Sequence, residues 1–311
     1  FLGGQTRGFS SALFFRDRLY VGFSDTGGNR PYLLALKRMP TLAPGYEASQ
    51  GLDAEDLKAE NMPGIGQGGS PPNNASGVMI DTLTAFNDRL YVANNGGCVR
   101  STSPTPRSYG SAPGDWAVCT PQLAAWSTRN SKTTSKSADL EPADRTVPQM
   151  AVFKGRLYLA RNTWGGPQLF ACDPARGGSP TDCDPGDWSL VAPNTVGDTL
   201  LTQFNNTANT ALSLLVATAS SLYVGFDNST QGTVLVRASG AAPSVLSDFT
   251  GRDGCSAAQH PASCVGLGGN GLGVGATRIF DGVASSLGGT EALYLTAGNG
   301  SSAVRLFRTM D

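Results

Sequence analysis

The sequence predicts an all-β fold, a β-propeller of five blades in which each blade holds four antiparallel strands. Three observations carry this prediction. A short phrase returns five times, as ArgLeuTyrValGly at 18–22, ArgLeuTyrValAla at 89–93, ArgLeuTyrLeuAla at 156–160, SerLeuTyrValGly at 221–225 and AlaLeuTyrLeuThr at 292–296. Its tyrosines stand at 20, 91, 158, 223 and 294, so one supersecondary unit is reused along the chain. Each phrase follows an apolar stretch and a short turn, which is the pattern of a hairpin. Finally, 40 Gly and 19 Pro among 311 residues suit many turns and short strands rather than long helices.

The unit is most legible between 146 and 194. ValProGlnMetAlaValPhe is a first strand, and Lys154-Gly155 is a tight turn. ArgLeuTyrLeuAlaArg is the second strand, in which Leu157 and Leu159 alternate with Tyr158 and Ala160. Residues 162–166 turn again, with Gly supplying positive φ and Asn tolerating it. ProGlnLeuPheAlaCys and Trp188 to Ala192 are the third and fourth strands. In the preceding unit CysValArgSerThr and GlyAspTrpAlaValCys take the last two places. ThrValLeuValArgAla and SerAspPheThrGly do so in the following one. The last unit reaches a third strand at 303–308, and residues 1–8 are expected to supply its fourth, which would leave no open edge. Six or seven blades stay open if an insertion hides a degenerate repeat.

The chain reads as a single domain, 1–311, with loop insertions at 40–78, 120–146 and 251–275, the first holding a short helix at 53–59. A start at Phe1 reads as a trimmed product. Lys and Arg number 23 against 24 acids, with no basic patch, which removes the electrostatic case for nucleic acid. No apolar run approaches the ~20 residues of a transmembrane helix. Six cysteines fall into local pairs, Cys98–Cys119, Cys172–Cys183 and Cys255–Cys264. Disulfides are the favoured reading, with free thiols and metal ligation as alternatives. They place the protein in an oxidising compartment: secreted, periplasmic or at the cell surface.

Two units carry a further pattern: Arg100-Ser101 followed by Gly114-Asp115-Trp116, and Ala171-Cys172-Asp173 followed by Gly186-Asp187-Trp188. With the Leu-Tyr strand, this resembles bacterial surface or secreted β-propellers bearing degenerate sialidase-like Asp-box repeats. The spacing is longer than in an Asp-box. The resemblance implies a fold, and since such turns are structural it implies no sialidase activity.

Candidate sites follow from residue type. Arg18, Arg89 and Arg156 recur in one frame, which favours a strand-edge packing role over a site made once. The repeated tyrosines are read as packing between blades, with their hydroxyls reaching a neighbouring turn. The second turns carry Asp25, Asn95, Asn162, Asn228 and Asn299, either as a ring of binding positions or as caps of their own turns. Asp173, Asp182, Asp184 and Asp187 form an oxygen-rich turn that would take calcium, or would simply be solvated carboxylates. His260 lies in a Cys-closed loop and reads as a surface residue. Asn74, Asn205, Asn228 and Asn299 stand in glycosylation sequons. First strands are nearly free of carboxylates, with Asp81 and Asp281 the exceptions. The expectation is therefore a non-enzymatic extracellular binding or adhesion module whose partner is a surface protein or glycan. The alternatives are a propeller-type glycosidase or lyase-like enzyme, or a structural subunit of a surface filament or envelope machine.

Overall fold

A computed structural model of the chain describes residues 6–16, 18–25, 32–36, 57–60, 80–94, 97–103, 116–123, 126, 147–163, 166–177, 179–192, 204, 206, 208–257, 265–286, 290–300 and 303–309. The fold is an all-β β-propeller, built as five antiparallel sheets in chain order. Two compact units divide the chain, Phe1–Thr120 and Pro121–Asp311.

The first unit holds two sheets. Strands β1 (Thr6–Phe15), β2 (Arg18–Asp25), β3 (Tyr32–Leu36) and β4 (Leu57–Glu60) form one. Strands β5 (Thr82–Phe86), β6 (Arg89–Asn94), β7 (Gly97–Ser101) and β8 (Trp116–Val118) form the other. Phe15, Tyr20, Leu33, Ile80, Leu83, Leu90, Val92, Val99 and Trp116 pack as their common core.

The second unit holds three sheets. The first contains β9 (Met150–Phe153), β10 (Arg156–Thr163), β11 (Gly166–Cys172) and β12 (Trp188–Ala192). Strands β13 (Ala211–Ala217), β14 (Ser221–Asp227) and β15 (Val234–Ser239) follow, then β16 (Arg278–Ser285), β17 (Ala292–Gly298) and β18 (Arg305–Arg308). Apolar layers lie between neighbouring sheets. Tyr158, Leu169, Val191, Leu212, Val224 and Phe249 share one, and Leu214, Tyr223, Leu235, Ile279, Leu293 and Leu295 share the next. Central strands are covered on both faces, which is why β14 is buried from Ser221 to Phe226 and reads as an unbroken apolar run.

Turn chemistry follows the residues. Lys154 (φ 48°) and Gly155 (φ 75°) make the β9–β10 hairpin, and Asn87 (φ 45°) and Asp88 (φ 60°) make the β5–β6 one. Paired positive φ values are what a two-residue hairpin matched to strand twist requires. The repeated phrase is the second strand of every sheet, and in four of its five copies the residue two after Tyr is Gly or Ala, for a physical reason. A Cβ on Gly22 would stand 2.7 Å from Ile80 Cγ2, and one on Gly225 would stand 2.6 Å from Ile279 Cδ1. An aliphatic residue of the following sheet sits directly on that backbone.

Three expectations change. Leu57–Glu60, read within a short helix, is an edge strand paired along β3 from Leu36↔Leu57 to Leu33↔Glu60. A ready ladder outweighs helix nucleation over so few residues. Residues 6–8 belong to β1, beginning at Thr6↔Asp25, rather than to the last sheet, while 1–5 lie outside the described residues. SerAspPheThrGly is not a fourth strand: a 3-10 turn, Leu246–Asp248, precedes a single bridge, Arg237↔Thr250. Most of 40–78 and 120–146 lies outside the described residues.

Disulfides close Cys98–Cys119 and Cys172–Cys183. Cys255 is disulfide-bonded, and Cys264 lies outside the described residues. Replacing Cys172 and Cys183 by Ser releases an 11-residue separation. The expected cost is about 2–3 kcal/mol, read from urea unfolding under oxidising conditions.

Candidate functional site

Most of the residues singled out by the sequence serve the sheets. Arg156, at the start of β10, pairs with Asp173 at 3.0 Å. Asp173 also accepts from Ala175 N–H at 3.1 Å. Asp187 accepts from Asp184 N–H at 2.7 Å and fills the space beside Gly177, where a Cβ would overlap the carboxylate. Asp182 is 9% exposed. Among the described residues, no group of three or more His, Cys, Asp or Glu side chains is placed to hold a metal ion.

The turn residues divide by chemistry. Asn162 reaches the next sheet, its Oδ1 accepting from Leu212 N–H at 2.8 Å and its Nδ2 donating to Leu212 O at 3.1 Å. Asp227 holds the same place after Tyr223 and accepts from Ile279 N–H at 2.9 Å. Four residues after Tyr, a short polar side chain thus stitches one sheet to the first strand of the following sheet. Asn228 caps its own turn, accepting from Thr230 and Gln231 N–H at 3.1 and 2.8 Å, and is fully buried. Asn299 donates to Gly275 O at 3.4 Å. The Asp25 side chain, Asn95, Asn74, Asn205 and His260 lie outside what is described. Asn162→Ala should cost about 2 kcal/mol in equilibrium unfolding, since two backbone groups lose their partner.

Tyr158 behaves as expected of a packing residue: it is buried and donates to Pro243 O at 2.9 Å. Burial pushes its phenol well above the usual tyrosine range, with nearby Arg156 opposing. The folded state therefore keeps the proton longer than the unfolded chain. Tyr158 supports stability fully below the unfolded phenol pKa, and that support is lost as pH rises beyond it. Arg161, which sequence reasoning passed over, is buried, stacks at 3.8 Å over Trp126 and donates to its carbonyl at 2.8 Å.

The first strands carry the chemistry left over. In the second unit β9, β13 and β16 are successive first strands that lie side by side, and among them only β16 contributes a carboxylate, Asp281. A bulge separates Ile279↔Ala297 from Asp281↔Thr296, so the strand kinks where the carboxylate emerges. Asp281 is exposed and accepts from Gly282 N–H at 2.8 Å. Among the described acids of this unit, Asp227 is held by Arg278 and Ile279 N–H, Asp248 by Ser244 and Val245 N–H, and Glu291 by Ala219 N–H at 2.5 Å. In the first unit Asp81 is half-buried just before β5, its N–H bonded to Ala93 O at 2.9 Å.

No protein-family model matches the chain, and no curated protein matches it in sequence. Solved structures do match over nearly its whole length. An α-L-arabinanase of Cellvibrio cellulosa, complexed with arabinohexaose, is 12% identical with a TM-score of 0.42, covering 96% of this chain and 89% of its own. An exo-1,5-α-L-arabinanase from a bovine ruminal metagenomic library is 12% identical with a TM-score of 0.43, covering 98% and 94%. A GH43 β-xylosidase/α-arabinofuranosidase from a compost metagenome is 11% identical with a TM-score of 0.36, covering 98% and 91%. Likeness at this level assigns this chain no substrate and no catalytic residue. The named matches are arabinanases and a xylosidase rather than sialidase-like proteins, so the propeller part of the sequence resemblance stands without the Asp-box part. They are also enzymes, which overturns the expected non-enzymatic binding or adhesion module; the propeller-type glycosidase alternative is the one that accords with them. Two described disulfides fit an oxidising compartment, and among the described residues no helix is long and apolar enough to cross a membrane.

Proposed function

We propose that the protein is an extracellular or periplasmic glycosidase of the propeller type, with Asp281 as a carboxylate of its catalytic machinery. The observation that carries this reading is the placing of Asp281: exposed, next to a bulge at Phe280, and, among the described residues, on the only first strand of its unit that bears an acid. Glycoside hydrolysis asks carboxyl groups for two services. One protonates the oxygen of the departing sugar while the C–O bond breaks, and the other deprotonates the attacking water or forms the bond to the anomeric carbon itself. An exposed carboxylate that no ion pair engages among the described residues suits either service. Bulges recur beside active sites because they re-aim a single side chain out of the ladder.

Incubating the purified protein with a panel of pentose and hexose polysaccharides tests the reading. Oligosaccharides or free sugar should accumulate from at least one member. A panel left intact across the working pH range of secreted enzymes would sink the proposal.

A further inference from the structure

We propose that the outer edge of β18 is a docking site for an extended acidic peptide, which adds to the last sheet as a fourth strand and presses alternate apolar side chains into the adjoining cavity. This goes beyond the glycosidase reading and uses none of its residues.

Three observations converge. The sheets ending in β4, β8 and β12 have a fourth strand, and the outer edge of β15 is engaged by Thr250 and by Leu267 N–H donating to Leu235 O at 2.7 Å. Among the described residues nothing pairs with the outer edge of β18. Thr309 N–H donates inward to Leu293 O at 2.9 Å. By the antiparallel alternation, Leu306 and Arg308 therefore turn their N–H groups to the open edge.

The second observation is the space beside that edge. Between the two preceding sheets, Tyr158 meets a chain segment: Pro243 O accepts a hydrogen bond from its hydroxyl, and Leu246 and Phe249 fill the layer. At the corresponding place by Tyr223 there is instead a cavity of about 310 Å³, walled by Leu235, Leu267, Leu272, Leu295 and Phe307. Its position matches that filled one sheet earlier by residues 243–249, which enter by a 3-10 turn at Leu246–Asp248.

Charge is the third. Arg305 and Arg308 are exposed on β18, Arg237 belongs to the cavity wall, and no described carboxylate does. A strand presents successive side chains to opposite faces. A peptide alternating apolar and acidic residues would thus send one set into the cavity beside Phe307 and the other to the opposite face, which Arg308 shares with Tyr294, while its main chain pairs with β18. This is strand addition, in which backbone bonds give affinity and pockets give specificity.

The probe is a fluorescein-labelled peptide alternating valine and glutamate, titrated into the full chain by fluorescence anisotropy. Saturable binding is expected, weakened roughly tenfold by loss of one edge hydrogen bond in L306P, whose proline replaces only an outward N–H. The same peptide N-methylated on alternate amides should bind at least as poorly to the wild-type chain, which gives a readout should L306P fail to fold. Replacing glutamate by lysine in the peptide should abolish binding. Amide exchange at Leu306 and Arg308 should be fast in the free chain and slow with peptide. Absence of binding, or indifference to both L306P and N-methylation, would overturn the proposal. So would slow exchange in the free chain, which at all concentrations would mean the edge is covered by the chain's own residues and, if concentration-dependent, by a second copy.

Discussion

Gly225→Val is expected to destabilise the second unit by roughly 3 kcal/mol, lowering its thermal midpoint by about 10 °C. The residue lies at the small position of the repeated phrase, inside β14. A side chain there meets Ile279 Cδ1 at 2.6 Å and Leu214 Cβ at 3.0 Å, so it is blocked on both the neighbouring sheet and its own. A layer packed on both sides relaxes poorly, and extra volume forces strands apart. Shortening the obstacle should help: Gly225→Ala combined with Ile279→Val should recover part of the loss of Gly225→Ala alone. Differential scanning calorimetry of the four proteins of this cycle gives the coupling. Additive effects would show that the two sheets do not press on one another at this point.

Asp281→Asn is expected to lower sugar release by roughly 10²–10⁴-fold while leaving the unfolding midpoint within about 1 °C of the parent, given the general acid–base contribution of a placed carboxyl group. Asn keeps the shape and can still accept from Gly282 N–H, so the fold loses little. It can neither give up a proton as an acid nor take one as a carboxylate. Glu291→Gln is the informative control, because Glu291 is an acid of the same unit held by Ala219 N–H. It should leave the rate of catalysis nearly untouched. Asp81→Asn is made alongside, as the acid that immediately precedes β5 in the first unit. Equal losses in the Asp281 and Glu291 variants would point to general damage rather than catalysis.

The architecture was readable because its constraints are local and repeated. Lys154-Gly155 announces a hairpin through backbone sterics alone, and the alternation of Leu157 with Tyr158 announces a strand. Tyr158 could even be assigned to packing, since an in-frame aromatic on a central strand has little other use. What the sequence hid were features set by pairing across long separations. Leu57–Glu60 has no strand pattern of its own and takes its form from β3. Asn162 looks like any turn asparagine until Leu212, fifty residues later, meets its side chain with both its N–H and its carbonyl. The small residue after Tyr was visible in four of the five repeats, yet at Gly22 and Gly225 its cause lies in an Ile outside the sheet. Asp281 was legible as an exception among first strands, but its bulge and exposure were not, because a bulge is a property of two strands together.

The most direct measurement is mass spectrometry of the products formed from polysaccharide in heavy-oxygen water. A glycosidase breaks the C–O bond with water, so the account predicts one heavy oxygen at each new reducing end, with the signal lost in Asp281→Asn. Intact polymer, or cleaved ends that carry a double bond and no heavy oxygen, would contradict it.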